Sequence, residues 1–161
     1  MKIYKISDIK RFMSLFLNGT PFDDFELVES TIKKYTTVSI DGHVNESFYK
    51  NDETHTPYGG EYVLWSEIRP LCMELIKGRN TPLYMKFVLQ KTPSALSDIT
   101  DAKSLAEARS LCLNLIFSEQ GLNLTTGVNF TGFYPESSLP GLWDKYIEEL
   151  LIKNGLKFDI I

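Results

Sequence analysis

Residues 111–130 constrain this chain more than any other stretch. They form two runs of alternating apolar and polar side chains around Gln120-Gly121, the period of a strand buried on one face only. A two-residue turn at 120–121 pairs Phe117 with Leu124, Leu113 with Val128 and Leu111 with Phe130, all on one face. The other face reads Cys112, Asn114, Ile116 and Ser118 against Asn123, Thr125, Gly127 and Asn129. A hairpin of this kind belongs in an antiparallel sheet with one covered face and one face open to solvent or a partner.

The rest of the chain supplies the cover. Ile9, Phe12, Met13, Phe16 and Leu17 recur at helical spacing and predict a helix over 7–17, with Ser7 as its cap and Asn18-Gly19 as its left-handed stop. Residues 64–76 carry a second stripe, Leu64, Ile68, Leu71, Cys72, Leu75 and Ile76. Pro70 lies inside it, so this helix either kinks there or ends and restarts near Arg69; Gly78 is the expected terminator. A third helix is expected over 139–154, with Pro140 in its first turn and Asn154-Gly155 at its end.

Residues 25–32, 35–40 and 43–49 read as strands, rich in β-branched and aromatic side chains. Asp41-Gly42 marks a hairpin between the last two, and a three-residue turn at 40–42 is favoured because it pairs Val38 with Val44 on one face. Residues 82–91 form another strand with Leu83, Met85, Phe87 and Leu89 on one side; Tyr84, Lys86, Val88 and Gln90 extend the polar face. Residues 94–109 read as a long, partly helical connection, and short strands are expected over 1–6 and 157–161. The fold class is α+β: a largely antiparallel sheet of about six strands with helices packed on one face. At 161 residues, with no repeat or linker, the chain is expected to be one domain over 1–161.

Composition narrows the function. The net charge of −4 and pI near 5.2 argue against a nucleic-acid binder, which needs a clustered basic surface. The only short basic groupings are Lys10-Arg11 and Lys33-Lys34. No window approaches a membrane-spanning length, and residues 1–7 lack the apolar run of an export signal, so no membrane association and a cytoplasmic location are expected. Cys72 and Cys112 form no C-x-x-C motif and read as reduced, buried thiols.

The order of several motifs resembles an uncharacterised family of clostridial bacterial proteins of unknown function. The pieces are residues 7–13 (Ser-Asp-Ile-Lys-Arg-Phe-Met), Ile40-Asp41-Gly42, residues 61–65 with Arg69-Pro70, residues 76–82, and Thr125-Thr126-Gly127. The resemblance spans most of the chain and implies a bacterial, cytoplasmic protein; it carries over no activity and no site residues.

Candidate sites follow from chemistry alone. No G-x-S-x-G, P-loop or G-x-G-x-x-G motif is present, and no cofactor is expected. His43 and His55 lie near Asp41, Asp52 and Glu53, but their spacing matches no metal-ligand motif, so no metal site is expected. The stretch 41–77 holds a polar loop at 50–60 leading into the helix. There His55, Tyr58, Trp65 and Arg69 form a candidate ligand-binding group, with Trp65 and Arg69 on one helix face at i, i+4. The competing reading has Trp65 packing the core and Arg69 pairing with an acidic neighbour. The preferred function is a non-enzymatic interaction module that binds a protein partner, or a second copy, through the polar sheet face or an edge strand. The alternative is a small-molecule-binding protein or enzyme using the loop and the Trp65/Arg69 face.

Overall fold

The computed structural model describes residues 1–49 and 60–161. In chain order the elements are β1 (Ile3–Ile6), α1 (Ile9–Asn18), β2 (Glu26–Lys33), β3 (Thr37–Asp41), a 3₁₀ turn (Glu46–Tyr49), β4 (Val63–Leu64) and α2 (Trp65–Ile76). They continue with β5 (Tyr84–Lys91), a 3₁₀ turn (Pro93–Leu96), α3 (Ala102–Leu105), β6 (Ala108–Ser118), β7 (Gly121–Phe130), α4 (Leu139–Lys153) and β8 (Phe158–Ile160). The fold is α+β, and every strand pairing is antiparallel. Among the described residues the sheet has eight strands rather than about six, ordered β3-β2-β5-β6-β7-β1-β8, with β4 also on β2. The first strand lies between β7 and the last, so strands from the two ends of the chain meet at one edge.

One row of partners crosses the sheet through Ile40, Ser30, Phe87, Leu115, Leu124 and Tyr4. This face meets the helices. Phe16 of α1 and Trp65 of α2 stack at 4.2 Å and both meet the Phe87 ring edge-on. From α4, Trp143 donates its indole N–H to the Cys112 carbonyl at 2.8 Å, and Asp144 pairs with Thr126. Trp65, Trp143, Phe12, Phe16, Phe22 and Phe25 are fully buried here. Each large side chain removed from water contributes roughly 1.5–3 kcal/mol, so this aromatic layer is the main cohesive element.

Helix ends show what the local sequence does. Asp8, rather than Ser7, caps α1, accepting the Arg11 N–H at 3.1 Å. Gly19 is extended (φ −90°), not left-handed; a side chain there would meet the Leu15 carbonyl at 2.7 Å. Pro70 neither ends nor restarts α2, which is continuous from Trp65 to Ile76. The end of α4 follows expectation: Gly155 is left-handed (φ +67°), and the Leu156 and Gly155 amides bond back to Leu151 and Ile152.

Two hairpins differ from the sequence reading. In the β6–β7 pair the turn is Glu119-Gln120, so Phe117 faces Leu122 and Leu115 faces Leu124. The slip is two residues, which leaves every side chain on its expected face. The Asp41-Gly42 hairpin does not form. The chain reverses at 34–36 instead, closed by the Lys34 N–H to the Thr36 carbonyl at 2.9 Å. Tyr35 thus tips a turn rather than starting a strand. Residues 43–49 form a single bridge, His43 to Tyr62, and then the 3₁₀ turn.

Gly42 does something else. Its N–H bonds to Val28 and its carbonyl accepts from Val63, handing the edge of β2 from β3 to β4. A Cβ at this position would stand 1.7 Å from the Leu27 carbonyl. The glycine permits a close approach of two backbones, a second use of the residue that turn chemistry does not anticipate. Leu83 also departs from expectation, lying outside β5 and largely in water.

Candidate functional site

His55 and Tyr58 lie outside the described residues. Trp65 is completely buried, its indole N–H donated to the Phe16 carbonyl at 2.8 Å. Arg69 grips Asp23 with two nitrogens, at 2.8 and 3.3 Å, beside the Leu17 carbonyl. The Asp23 hydrogen bond, more than its bare charge, holds the guanidinium pKa above its ordinary value. Trp65 is thus occupied by the core, and Arg69 by a partly buried bidentate pair that fastens α2 to the segment before β2.

Two further clusters of titratable groups stand nearby. His43 Nδ1 is 2.6 Å from Asp41, its Nε2 3.5 Å from Glu61, and its ring 4.5 Å from that of Tyr62. Among the described residues no group of three or more His, Cys, Asp or Glu side chains could hold a metal ion. The second cluster borders a polar cleft of about 160 Å³ lined by Asp24, Glu26, Lys91, Thr92, Ser94 and Ala95. Lys91 there meets Asp24 at 2.6 Å and the Tyr146 hydroxyl at 3.1 Å, over the Phe25 ring. Burial is the largest single influence and opposes its charge, but the hydrogen bonds and charges of Asp24 and Tyr146 together outweigh it and its pKa is raised. Glu26 is only 4% exposed, and burial pushes its carboxyl pKa up against the Tyr62 N–H and Gln90 that favour its anion. These groups are engaged with one another.

The sheet face opposite the helices is different. Its rows are Ser39, Thr31, Lys86, Ile116, Asn123 and Lys5, then Asp41, Glu29, Val88, Asn114, Thr125 and Ile3. Lys86 pairs with Glu29 at 3.3 Å, and Lys5 stands opposite Asp159 on β8. What remains between the charges is amide, hydroxyl and aliphatic: Asn114, Asn123, Thr125 and Asn129 around Val88, Ile116 and Ile3. Cys112 lies half-buried on this face and accepts from the Asn129 amide, whereas Cys72 is fully buried and burial pushes its thiol pKa up to about 12.

A third feature was invisible to the sequence reading. Beside the 34–36 turn is a hollow of about 350 Å³ lined by Lys34, Tyr35, Arg79, Asn80, Thr81 and Leu83. Its elements are far apart in sequence, and placing the turn at 40–42 put Tyr35 inside a strand. The available signal was the Lys33-Lys34 pair next to an aromatic residue, which is an odd composition for a buried strand.

These features define a class: an α+β domain whose open antiparallel sheet and adjoining surface hollow present its free chemistry. The chain belongs to a family of unknown function (DUF5721), whose model matches residues 15–159. No curated protein and no solved structure matches it. No helix among the described residues is long and apolar enough to cross a membrane.

Proposed function

We propose that this protein is a binding module that works through the open face of its sheet, packing it against a second copy of itself. The supporting observation is the one-sided architecture: α1, α2 and α4 meet the same face, and the opposite face presents aliphatic side chains in rows of amides and hydroxyls. A two-fold interface must accept its own chemistry. This face suits that requirement because Lys86 is already matched by Glu29 and the central positions Val88, Asn114, Ile116, Asn123 and Thr125 carry no charge. Its mixture of aliphatic and neutral polar groups is that of an ordinary protein interface.

Light scattering on a size-exclusion column tests the reading. The wild type elutes as a dimer at tens of micromolar, and Thr125→Lys with Asn129→Lys converts it to a monomer that still unfolds in one cooperative transition. A wild type that stays monomeric up to millimolar concentration overturns the proposal, as does a dimer indifferent to both lysines.

A further inference from the structure

We propose that the hollow beside the 34–36 turn binds a small phosphate-bearing molecule with a planar or apolar body, of nucleotide size. This goes beyond the sheet-face reading and rests on different residues.

Charge is the first argument. In a chain of net charge −4, this hollow is lined by two cations, Lys34 and Arg79, and by no carboxylate. Neither cation has an ion-pair partner among the described residues. Glu74 lines the adjoining hollow with Lys34 but is held by Lys77 at 2.8 Å. Elsewhere Arg69, Lys2, Lys86 and Lys91 each meet an acidic side chain. What marks this hollow is that two cations stand in one lining without a carboxylate, which leaves both open to an anionic ligand.

The second argument is the company the cations keep. Tyr35 is 95% exposed and Leu83 65% exposed, so neither contributes to the core. An aromatic ring and an aliphatic side chain beside two cations fit a ligand with a flat or apolar part and an anionic part. Asn80 and Thr81 add neutral donors of the kind that complete a phosphate site. The volume of about 350 Å³ falls within the roughly 300–1,000 Å³ range of small-molecule sites.

The third argument is preorganisation. The Leu83 N–H bonds to the Lys33 carbonyl at 2.8 Å, tying the 79–83 segment to the turn. Lys34 Nζ donates to the Lys77 carbonyl at 3.1 Å, which ties the turn to the end of α2. Gly78, with φ +144°, provides the backbone bend from α2 into Arg79. A site held open before binding loses little ordering entropy when a ligand arrives.

Calorimetric titration of the full chain with ATP, inorganic phosphate and adenosine tests the inference. ATP binds, with phosphate weaker and adenosine weakest, and added salt weakens ATP binding. Arg79→Gln lowers ATP affinity about tenfold or more, the loss expected for one charge-assisted contact. Its melting temperature stays at the wild-type value, because Arg79 has no hydrogen-bond or ion-pair partner among the described residues. Lys34→Gln acts in the same direction, and Tyr35→Ser weakens ATP while leaving phosphate unchanged. Three results overturn the inference: no heat with either ATP or phosphate, adenosine bound as tightly as ATP, or Arg79→Gln binding like the wild type. A single-stranded oligonucleotide bound far more tightly than ATP also overturns it, in favour of a nucleic-acid surface.

Discussion

The two faces of the sheet share their backbone and differ in nearly everything else. On the helix face, the indole of Trp65 reaches the Phe16 carbonyl, that of Trp143 reaches Cys112, and the Tyr4 hydroxyl reaches Asp144 and Glu148. Ser30 Oγ is the buried exception without a partner. One residue along each strand, the open face carries Asn114 and Asn123, whose side-chain oxygens are shielded from water yet have no hydrogen-bond partner. Burying a polar atom without a partner costs about 1–3 kcal/mol. The same cost falls on Ser30 of the helix face, so it does not by itself separate the two faces. The contrast is between a face whose interlocked aromatic rings make a complete core and a face lined by amides, hydroxyls and aliphatic side chains.

The largest expected effect strikes the complete face. Trp65→Ala removes the ring stacked on Phe16 at 4.2 Å and strands the Phe16 carbonyl. The expected loss is about 3–5 kcal/mol in urea denaturation, as for other large-to-small changes in well-packed cores. Trp65→Phe retains most of the volume and isolates the hydrogen bond, costing about 1–2 kcal/mol. A loss under about 1 kcal/mol for the alanine variant would mean that the helix face collapses around the gap, and that the contrast between the faces is weaker than their chemistry implies.

A smaller effect of opposite sign is expected across the sheet. Gly127 sits in β7 opposite Cys112, and a Cβ there would meet nothing within 4 Å. Gly127→Thr fills open space with a strand-favouring side chain and should stabilise the monomer by about 0.5–1 kcal/mol. Thermal melting at low concentration measures it. In the proposed dimer the same methyl and hydroxyl protrude into the interface, so the light-scattering midpoint should move toward monomer as the melting temperature rises. Both quantities rising together would place the interface elsewhere.

Much of this arrangement was legible because alternation survives errors of register. The β6–β7 turn sits one residue earlier than Gln120-Gly121, yet Leu111, Leu113 and Leu115 still face the helices and Asn114 still faces out, since a two-residue slip preserves the face. The apolar stripe of α1 was equally robust, with Phe12, Phe16 and Leu17 all buried. What could not be read were features assembled over distance. Asp41-Gly42 has the composition of a tight turn, but Gly42 is needed for the approach of two backbones that local sequence does not encode. Tyr35 looked like a strand residue because aromatic propensity does not distinguish a strand from the tip of a turn. Trp65 and Arg69 share a helix face, but only the structure shows that Asp23, from the segment before β2, claims the arginine. The hollow beside Tyr35 combined both difficulties, a misplaced turn and a partner segment more than forty residues away.

The smallest effect lies at the corner of the open face, where Asp41 stands directly opposite Glu29. Like charges opposed across strands destabilise the pair, and His43 is the group placed to offset this. Its Nδ1 and its backbone N–H both reach Asp41 Oδ1, at 2.6 and 3.0 Å. The Asp41 hydrogen bond chiefly raises the His43 pKa, with the charges of Asp41 and Glu61 adding to it. The Asp41 carboxyl is held low, first by the His43 backbone N–H and then by its ring. A raised folded-state histidine pKa stabilises fully below the unfolded value of about 6.5 and is lost as pH rises through the folded one. A lowered carboxyl pKa stabilises above about 3.9 and is lost as pH falls through the folded value. Between those limits both contributions are present. Ring-proton titration should therefore place His43 above about 6.5 in the wild type and lower it in Asp41→Asn. The melting-temperature advantage of the wild type over Asp41→Asn should shrink as the imidazolium deprotonates, because the Glu29 repulsion then acts on Asp41 without its counter-charge. An advantage that is flat from pH 5 to pH 9 would show that His43 gives this corner only a backbone hydrogen bond, and that the open face balances its charges without it.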